Sequence, residues 1–280
     1  MGYIGAVKGS FIAFVIFVTT VVFIPGYGPS DEIALILTVS TFLFAILAGF
    51  FIARLNSRYD NIIDSTSNED ALWLSLYKTA IFLGKKFQDN VSELIDKYYI
   101  IAYDYELGGY YKSSTKYLHG IYDELDRLDS ATKRDSVVFS AILNFLYQIE
   151  NYRNKSAVLT VSRLTMGQWS VLLLLAGIII SSVFYIRTPD FYSSAVTVIL
   201  STVLVLVLLI MRDLQNFRLT GESPISESGQ EVFEYMGKLR YYNKWQIVNG
   251  FNTIPAYVKK YRLGLHKAGQ KFNIKIVSNG

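Results

Sequence analysis

An all-α membrane protein is predicted by this sequence: four transmembrane helices in two hairpins, together with a helical cytoplasmic bundle. Hydrophobic residues make up 51% of the 280-residue chain and charged residues only 18%. This composition is too apolar for a soluble protein and too polar for one that lies wholly in lipid. Four uncharged stretches are each long enough to span or nearly span a bilayer core, which takes about 20 residues of helix. They cover residues 9–30, 33–53, 169–186 and 191–211.

Each pair of neighbouring stretches is predicted to form a tight hairpin. The first pair is joined by residues 25–32, which are rich in proline and glycine and end in Asp31 and Glu32. Acidic residues suit the first turn of the second helix, because the positive end of the helix dipole lies there. The second pair turns at residues 187–190. No small-residue cleavage site follows the first stretch, so we interpret it as a retained helix rather than a signal peptide.

The distribution of basic residues predicts the orientation of these helices. Of the 27 lysines and arginines, only Arg187 lies in a hairpin tip. Basic residues near the opposite ends of the spans are typical of the cytoplasmic side. We therefore expect a multi-pass protein of the cell membrane (inner or plasma membrane) with both termini in the cytoplasm. No basic run accompanies the net charge of +4, so membrane lipid is an expected partner and nucleic acid is not. The eight inner residues are Lys8, Arg54, Arg58, Arg153, Lys155, Arg163, Arg212 and Arg218.

The chain is predicted to divide into four segments. Residues 1–56 form the first transmembrane hairpin, residues 57–165 a cytoplasmic helical domain, residues 166–212 the second hairpin, and residues 213–280 a cytoplasmic helix and arm. Within the cytoplasmic domain, apolar residues recur at three- and four-residue steps, which is typical of helices, and the alternation typical of strands is absent. These helix faces cover residues 94–105, 118–128 and 138–152.

Two further patterns predict where water-facing helices begin and end. The second span is expected to continue briefly as a polar helix and then to break at residues 64–67. Thr66 and Glu69 have the spacing of a capping box, which predicts that a new helix begins there. A tail helix is predicted over residues 226–243, and a terminal arm follows beyond Pro255.

No pattern in the sequence predicts an enzyme, a cofactor or a metal site. The chain has no cysteine, which excludes disulfides, thiolate metal sites and thiol nucleophiles. His119 and His266 are isolated and are expected to be solvated, as are the carboxylates of residues 123–126. No phosphate-binding glycine loop or catalytic motif accompanies them. No charged residue lies within a span, which argues against a proton relay or a carboxylate-coupled transporter.

The second span carries the pattern most relevant to function. Thr41, Ala45, Gly49 and Ala53 form a stripe of small residues, which lets another helix approach closely. We expect this stripe to pack against another span of the same subunit. The bulky apolar residues elsewhere on the helix are typical of lipid contact; alternatively, one row of them lines a dry constriction that gates ions by dewetting. The candidate pore-lining residues are Thr38, Phe42, Ala45, Ile46, Gly49 and Phe50.

Short motifs along the chain point to a family. They are Gly-Phe-Phe-Ile-Ala-Arg at residues 49–54, Asn-Glu-Asp-Ala-Leu at 68–72, Arg163-Leu164 ahead of Trp169, and Leu-Ile-Met-Arg-Asp-Leu-Gln-Asn-Phe at 209–217, with Gly221 and Ile225 beyond. In these motifs and their order, roughly residues 30–240 resemble the bestrophin-like family of prokaryotic four-span membrane proteins.

The resemblance implies a homo-oligomer, a pentamer around a central pore, above a helical cytoplasmic domain. It also implies that the second span lines a hydrophobic neck of that pore, which by position is residues 38–52 here. The sequence lacks the run of acidic residues that would suit calcium binding in bestrophins. Gating by calcium is therefore not expected.

Together with the charges of the hairpin tips, the resemblance implies an oligomeric ion channel that is weakly selective and cation-permeable. Three acidic residues in the outer tips oppose one basic residue, a net charge of −2 per subunit, and an acidic ring attracts cations. Arg54 and Arg58 would form an opposing basic ring at the inner mouth and weaken the selectivity. Small inorganic ions and other copies of the chain are the remaining expected partners. The outer-mouth acids are Asp31, Glu32 and Asp190, opposed by Arg187.

Two other function classes stay open at this point. A non-conducting membrane scaffold or sensor, which binds a cytosolic partner through its helical domain, explains the large inner domain and the uncharged spans equally well. A transporter of small solutes fits less well, because the spans offer no obvious substrate-binding group at the membrane midplane.

Overall fold

The computed structural model describes residues 4–105, 109–128, 133–218, 226–250 and 252–278, and it confirms the predicted helical membrane fold. Helices α1, α2, α6 and α7 are each long and apolar enough to cross a membrane. The helices described are α1 (Ala6–Phe23), α2 (Asp31–Ala80), α3 (Lys85–Asp104), α4 (Tyr110–Asp126), α5 (Lys133–Val161), α6 (Met166–Ile186), α7 (Phe191–Gln215), α8 (Ser226–Tyr235) and α9 (Lys244–Val248). The strands described are β1 (Tyr241–Asn243), β2 (Lys260–Gly264) and β3 (Ile274–Ser278).

The chain folds into two compact units. The membrane unit comprises Met1–Tyr59 and Arg163–Leu219, and the extramembrane unit comprises Asp60–Ser162 and Thr220–Gly280. Both hairpins belong to the membrane unit: α1 with the first part of α2, and α6 with α7. The remaining helices and the three strands belong to the extramembrane unit, together with the last part of α2.

Helix α2 is one uninterrupted helix of 50 residues, about 75 Å long at 1.5 Å per residue. Since a hydrocarbon core is only about 30 Å thick, the helix spans the membrane with residues 33–53 and continues beyond it. The predicted break at residues 64–67 is wrong. The Thr66 hydroxyl donates back to the carbonyl oxygens of Ile62 and Ile63, both at 3.0 Å. A hydroxyl that bonds one turn back is tolerated inside a helix, so Thr66 does not act as a cap.

An apolar core joins α2, α6 and α7 in the membrane unit. Leu55, Leu172 and Met211, one from each helix, are at most 1% exposed. Helix α1 packs on α7 instead, and a Cβ atom at Gly9 would stand only 2.8 Å from the Leu209 side chain. Most of the remaining surface of α1 is exposed, as expected for a helix in contact with lipid. The buried members of the core are Phe44, Ala48, Leu55, Leu164, Leu172, Ala176, Ile179, Val183, Met211 and Leu214.

The motif at the end of α7 ties three helices of this unit together. The Asp213 carboxylate accepts a hydrogen bond from the backbone N–H of Ala6 at 2.8 Å, in the first turn of α1. The Gln215 side-chain oxygen accepts from the N–H of Leu164 and the indole N–H of Trp169, both at 3.1 Å. An acidic group at a helix start satisfies an N–H that has no partner within the helix. The motif is therefore a structural tie between α1, α6 and α7.

The extramembrane unit is a helical bundle around a second apolar core. The three helix faces predicted from the sequence are confirmed within α3, α4 and α5, and each packs toward this core. The last part of α2 and helix α8 complete the bundle. The fully buried residues of this core are Trp73, Leu76, Ala80, Val91, Ile95, Leu118, Ile121, Ile142, Leu146, Ile149, Phe233 and Tyr241.

The tail differs from its prediction, because the helix over residues 226–243 is only partly correct. Helix α8 ends at Tyr235, and Gly237 (φ 73°) lets the chain leave the helix. Strand β1 then pairs in parallel with β2, which pairs antiparallel with β3. The arm beyond Pro255 thus contributes two strands to a small sheet. All three residues of β1 are buried, so no alternation of polar and apolar residues marks it in the sequence.

Candidate functional site on the second helix

All six candidate pore-lining residues lie on the exposed side of α2 in the membrane unit. Phe42 is 66% exposed and Phe50 is 70% exposed, whereas Phe44 and Ala48 are at most 7% exposed and face the core with α6 and α7. The packing of α2 against its own subunit therefore leaves a wide face exposed, which also includes Leu35, Val39 and Leu43. That face, which we call the open face, carries Thr38, Thr41, Phe42, Ala45, Ile46, Gly49, Phe50 and Ala53.

The expectation that the small-residue stripe packs within the subunit is wrong. Thr41, Ala45, Gly49 and Ala53 are exposed, and no described atom lies within 4 Å of a Cβ atom placed at Gly49. The subunit uses the neighbouring face of α2 instead, where Ser40, Phe44 and Ala48 are buried. The stripe consequently forms a shallow notch that is open to whatever surrounds the subunit.

The acidic residues of the outer tips are exposed, and all three lie at the start of a helix. The Ser30 hydroxyl donates to Glu32 at 2.8 Å, in the first turn of α2. Asp190 accepts from the backbone N–H of Ser193 at 2.8 Å and from the Thr188 hydroxyl, and these bonds hold the pKa of Asp190 below its usual value. Carboxylates at helix starts are favoured electrostatically. Their negative charge nevertheless remains at the surface.

The basic residue of the tips is buried between the two hairpins. Arg187 is 5% exposed and donates to the carbonyl oxygen of Ile24 at 2.5 Å. Beside it, the N–H of Tyr27 donates to the carbonyl oxygen of Tyr185 at 2.9 Å, and the two tyrosine rings stack at 4.9 Å. The positive charge in the tips is thus withdrawn from the surface, whereas the three acidic groups are not.

The two arginines predicted for the inner mouth differ in their surroundings. Arg54 is exposed. Arg58 is 4% exposed, donates to the carbonyl oxygen of Gln215 at 2.9 Å and lies 4.1 Å from the centre of the Phe217 ring. Phe217 has a positive φ of 55°, which is uncommon for a large residue, and the stacked guanidinium helps to hold it there. Arg54 therefore carries the more accessible of the two charges.

Farther along the same helix, Glu69 is buried in the extramembrane unit. It is 3% exposed and accepts hydrogen bonds from the Tyr98 hydroxyl, from the Trp73 indole N–H at 3.3 Å and from the Tyr110 hydroxyl at 3.3 Å. Burial raises the pKa of Glu69, although these donors and nearby Arg153 act in the opposite direction. The carboxylate holds together donors from α2, α3 and α4.

The adjacent Asp70 is buried as well and turns toward other partners. It is 6% exposed and accepts from the Tyr99 hydroxyl at 2.5 Å and from the Ser228 hydroxyl. Burial raises the pKa of Asp70 to about 7, against the effect of these two hydrogen bonds. Asp70 therefore links α2 to α3 and α8. Both acids belong to the 68–72 motif, whose role in this fold is thus to join helices of the bundle.

Sequence reasoning missed this pair, and it also placed His266 wrongly. His266 is 6% exposed, not solvated, and its Nε2 atom lies 2.7 Å from the buried carboxylate of Asp104. Asp104 also accepts from the Tyr241 hydroxyl at 2.6 Å and from the Asn243 amide at 2.7 Å. This group fastens the end of α3 to the sheet. His119 is exposed, as predicted.

The described residues contain no group of three or more His, Asp or Glu side chains arranged to hold a metal ion. In a comparison with protein families, a model described as a bestrophin-like domain matches residues 8–225. No curated protein and no solved structure matches the chain.

Proposed function

We propose that this chain, which belongs to the bestrophin-like family, forms a homo-oligomeric ion channel whose pore is lined by the open face of α2. The family is generally of the channel type rather than enzymatic, and the four apolar helices make this a multi-pass membrane protein. The proposal goes further in naming the lining helix, the assembly and the ions that pass.

One observation carries the proposal: the subunit leaves the open face of α2 uncovered although that face contains small and hydroxyl-bearing residues. A helix face that only meets lipid gains nothing from Gly49 or Thr41. Small residues instead favour close approach of another helix in a membrane. The open notch at Gly49 therefore supports contact with α2 or another span of a neighbouring subunit.

A pentamer is the assembly that the family resemblance implies, and five copies of the open face would surround a narrow apolar passage. Phe42 and Phe50 are eight residues apart, or about 12 Å along the helix. Two such aromatic rings in series would form a hydrophobic constriction that conducts only when it is wetted. Native mass spectrometry of the purified protein should give the pentamer mass, and a clean monomer would contradict the assembly.

Ion flux through liposomes containing the purified protein tests the channel, and a glycine pair supplies the control. Gly49 and Gly177 are both exposed in membrane helices, with no described atom within 4 Å of an added Cβ. Gly49→Leu should reduce flux several-fold because it fills the notch on α2. Gly177→Leu, on α6, should leave flux near that of the wild type.

Equal effects of the two leucine substitutions would contradict the role of the open face. Absence of flux from a correctly assembled wild-type oligomer would contradict the channel itself. It would instead favour the non-conducting scaffold or sensor, and a cytosolic partner retained on the extramembrane unit would then be the expected finding.

Both termini are proposed to lie in the cytoplasm, with the tips outside. The chain has no cysteine, so a single introduced cysteine reports its own location. An impermeant thiol reagent added to intact cells should label Pro29→Cys in the first tip and should not label Asn144→Cys on α5. Both positions are exposed. Labelling of Asn144→Cys alone would show that the protein has the opposite orientation.

A further inference from the structure

The extramembrane unit contains a cleft of about 610 Å³ that plays no part in the proposed pore. Three segments line it: the end of α3, the first two turns of α4, and the loop between β2 and β3. Its volume lies within the range of small-molecule sites, about 300–1,000 Å³. The lining residues that matter for binding are Tyr105, Lys112, Lys116, Tyr117, Lys271 and Phe272.

Positive charge dominates this cleft. The exposed residues Lys112, Lys116 and Lys271 line it, and none of its lining residues in the described part of the chain, which excludes residues 106–108, is acidic. In the described part of the chain, none of the three forms an ion pair, although four other lysines of this unit do. Ammonium groups that line one cleft repel one another, and a multiply charged anion would relieve that repulsion. The four paired lysines are Lys85, Lys97, Lys155 and Lys238.

Aromatic rings share the cleft with these cations. The Lys116 ammonium lies 4.9 Å from the centre of the Tyr117 ring. Phe272 packs against the apolar core, and its ring centre is 5.4 Å from that of buried His266. Tyr105 lies at the end of α3 and is also part of the lining. Flat apolar surface next to ammonium groups suits a ligand that has an aromatic ring as well as negative charge.

The loop that closes the cleft is held in place. Gly269 has a φ of +81°, and a Cβ atom there would stand 2.9 Å from the Tyr105 hydroxyl, so only glycine fits easily. Near the end of the loop, the backbone N–H of Asn273 donates to His266 Nδ1 at 3.1 Å. His266 in turn bonds to Asp104, next to Tyr105. The cleft is thus anchored to the buried Asp104–His266 pair, which reduces the ordering that binding would require.

We propose that this cleft binds a phosphate ester with an aromatic ring system, of about the size of a mononucleotide. The three lysines neutralise the phosphate groups, and the rings of Tyr105, Tyr117 and Phe272 contact the aromatic part. The binding does not depend on whether the protein conducts ions.

Isothermal titration of the full-length protein in neutral detergent, with EDTA and without lipid phosphate, tests this with three probes. ATP should bind with a saturable heat at one site per subunit. Tripolyphosphate, which has the charge alone, and adenosine, which has the ring alone, should each bind more weakly. No binding of ATP overturns the proposal. Tripolyphosphate binding as tightly as ATP refutes the aromatic part, and adenosine binding as tightly refutes the role of charge.

Two sets of lysine substitutions locate the site. Replacing Lys112, Lys116 and Lys271 together by glutamine should weaken ATP binding about tenfold or more. Replacing three exposed lysines outside the cleft should have little effect at the same change in net charge, and equal weakening by both sets would overturn the proposal. The control lysines are Lys86, Lys259 and Lys275.

A single substitution keeps the test decisive if the triple variant fails to fold. Phe272→Leu retains an apolar side chain against the core and removes the ring. It should weaken binding of ATP and leave binding of tripolyphosphate unchanged. Unchanged ATP binding by a folded Phe272→Leu protein would show that the ring does not contact the ligand, contrary to the proposal.

Discussion

Helix α2 exposes aromatic rings in its membrane part and buries carboxylates, beside apolar residues, in its extramembrane part. In the membrane unit, Phe42 and Phe50 are at least 66% exposed, whereas in the extramembrane unit Glu69 and Asp70 are at most 6% exposed. Lipid tails are as apolar as phenylalanine, so exposure of an aromatic ring in the membrane carries no penalty. In water the reverse holds, and a carboxylate is buried only where hydrogen-bond donors surround it. An exposed aromatic ring is therefore unsurprising in the membrane part, whereas a buried carboxylate in the extramembrane part indicates a structural role.

In the extramembrane part, the burial of acids requires many partners, and this makes the bundle sensitive to their loss. Glu69 receives three donors and Asp70 receives two. In the membrane part, by contrast, no described side chain fills the space beside Gly49. Substitutions should thus affect stability in the first part and assembly or conduction in the second.

The largest effect is expected from Glu69→Ala. This change leaves the Tyr98, Tyr110 and Trp73 donors without their buried acceptor, and it opens a cavity. We expect the extramembrane unit to lose about 3–5 kcal/mol of unfolding free energy. Hydrogen exchange measured by mass spectrometry should show faster exchange in α3 and α4.

Glu93→Ala is the matched control for Glu69→Ala. The Glu93 side chain is 71% exposed and lies 3.7 Å from Lys97, a surface pair worth at most about 1 kcal/mol. Exchange rates should then stay close to those of the wild type. If Glu69→Ala proved as mild as this control, burial of the acid would not contribute to holding the bundle together.

The second prediction concerns pH. The folded pKa of Asp70 is about 7 and its ordinary value is 3.8. Between these values the folded protein keeps a proton that the unfolded chain releases, so stability is highest in acid and falls as pH rises from about 4 to about 7. The fall from this one group is up to about 4 kcal/mol.

Asp70→Asn tests that pH dependence, because asparagine carries no charge at any pH. Urea unfolding followed by tryptophan fluorescence at pH 4.5 and pH 7.5 should show a smaller difference in the variant than in the wild type. Burial raises the pKa of Glu69 too, so the stability of the variant should still fall somewhat as the pH rises. If the stability of Asp70→Asn fell with pH as steeply as that of the wild type, Asp70 would be charged in the folded protein.

A smaller effect is expected from Gly229→Ala in α8. A Cβ atom at Gly229 would stand 2.5 Å from the Tyr103 hydroxyl oxygen and 2.7 Å from the Tyr99 ring. Helix α8 must therefore move away from α3, which weakens the bond between Ser228 and Asp70. We expect a loss of about 1–3 kcal/mol.

Gly120→Ala in α4 serves as the comparison for Gly229→Ala, since an added Cβ there meets only the flexible Leu94 side chain, at 3.0 Å. Thermal unfolding should show a much smaller shift for Gly120→Ala. Similar shifts for both would mean that α8 adjusts without strain.

The sequence allowed much of the membrane part to be predicted, because the apolar length of a span follows directly from the thickness of the bilayer core. The spans and hairpins were readable in this way. The role of the small-residue stripe could not be predicted, since the same pattern serves contact within a subunit or between subunits. Which face packs depends on the side chains of α6 and α7 opposite Phe44 and Ala48.

The extramembrane part was less predictable, for reasons visible at particular residues. Thr66 and Glu69 have the spacing of a cap, yet each finds other partners once the helix continues. Burial of Glu69 depends on donors 29 and 41 residues away in the chain, which local patterns do not reveal. The same holds for His266, whose partner Asp104 is 162 residues distant.

The smallest expected effect lies in the membrane part and concerns the proposed preference for cations. Asp31 and Glu32 are exposed at the start of α2, and Arg54 is exposed where the apolar span of α2 ends. Asp31→Asn combined with Glu32→Gln should move the reversal potential under a KCl gradient toward the chloride equilibrium potential. Arg54→Gln should move it the opposite way. Acidic and basic rings have these opposite effects on ion entry.

Both shifts should be modest, below about 20 mV, because the two rings oppose each other. A twofold change in the permeability ratio corresponds to about 18 mV, since a tenfold change corresponds to about 59 mV. The wild-type protein in planar bilayers should itself reverse on the potassium side of zero. A wild-type reversal near the chloride potential would reject the cation preference while leaving the channel intact. Shifts of the same sign from the two variants would mean that these charges do not lie at opposite mouths of one pore, and α2 would then not be its lining.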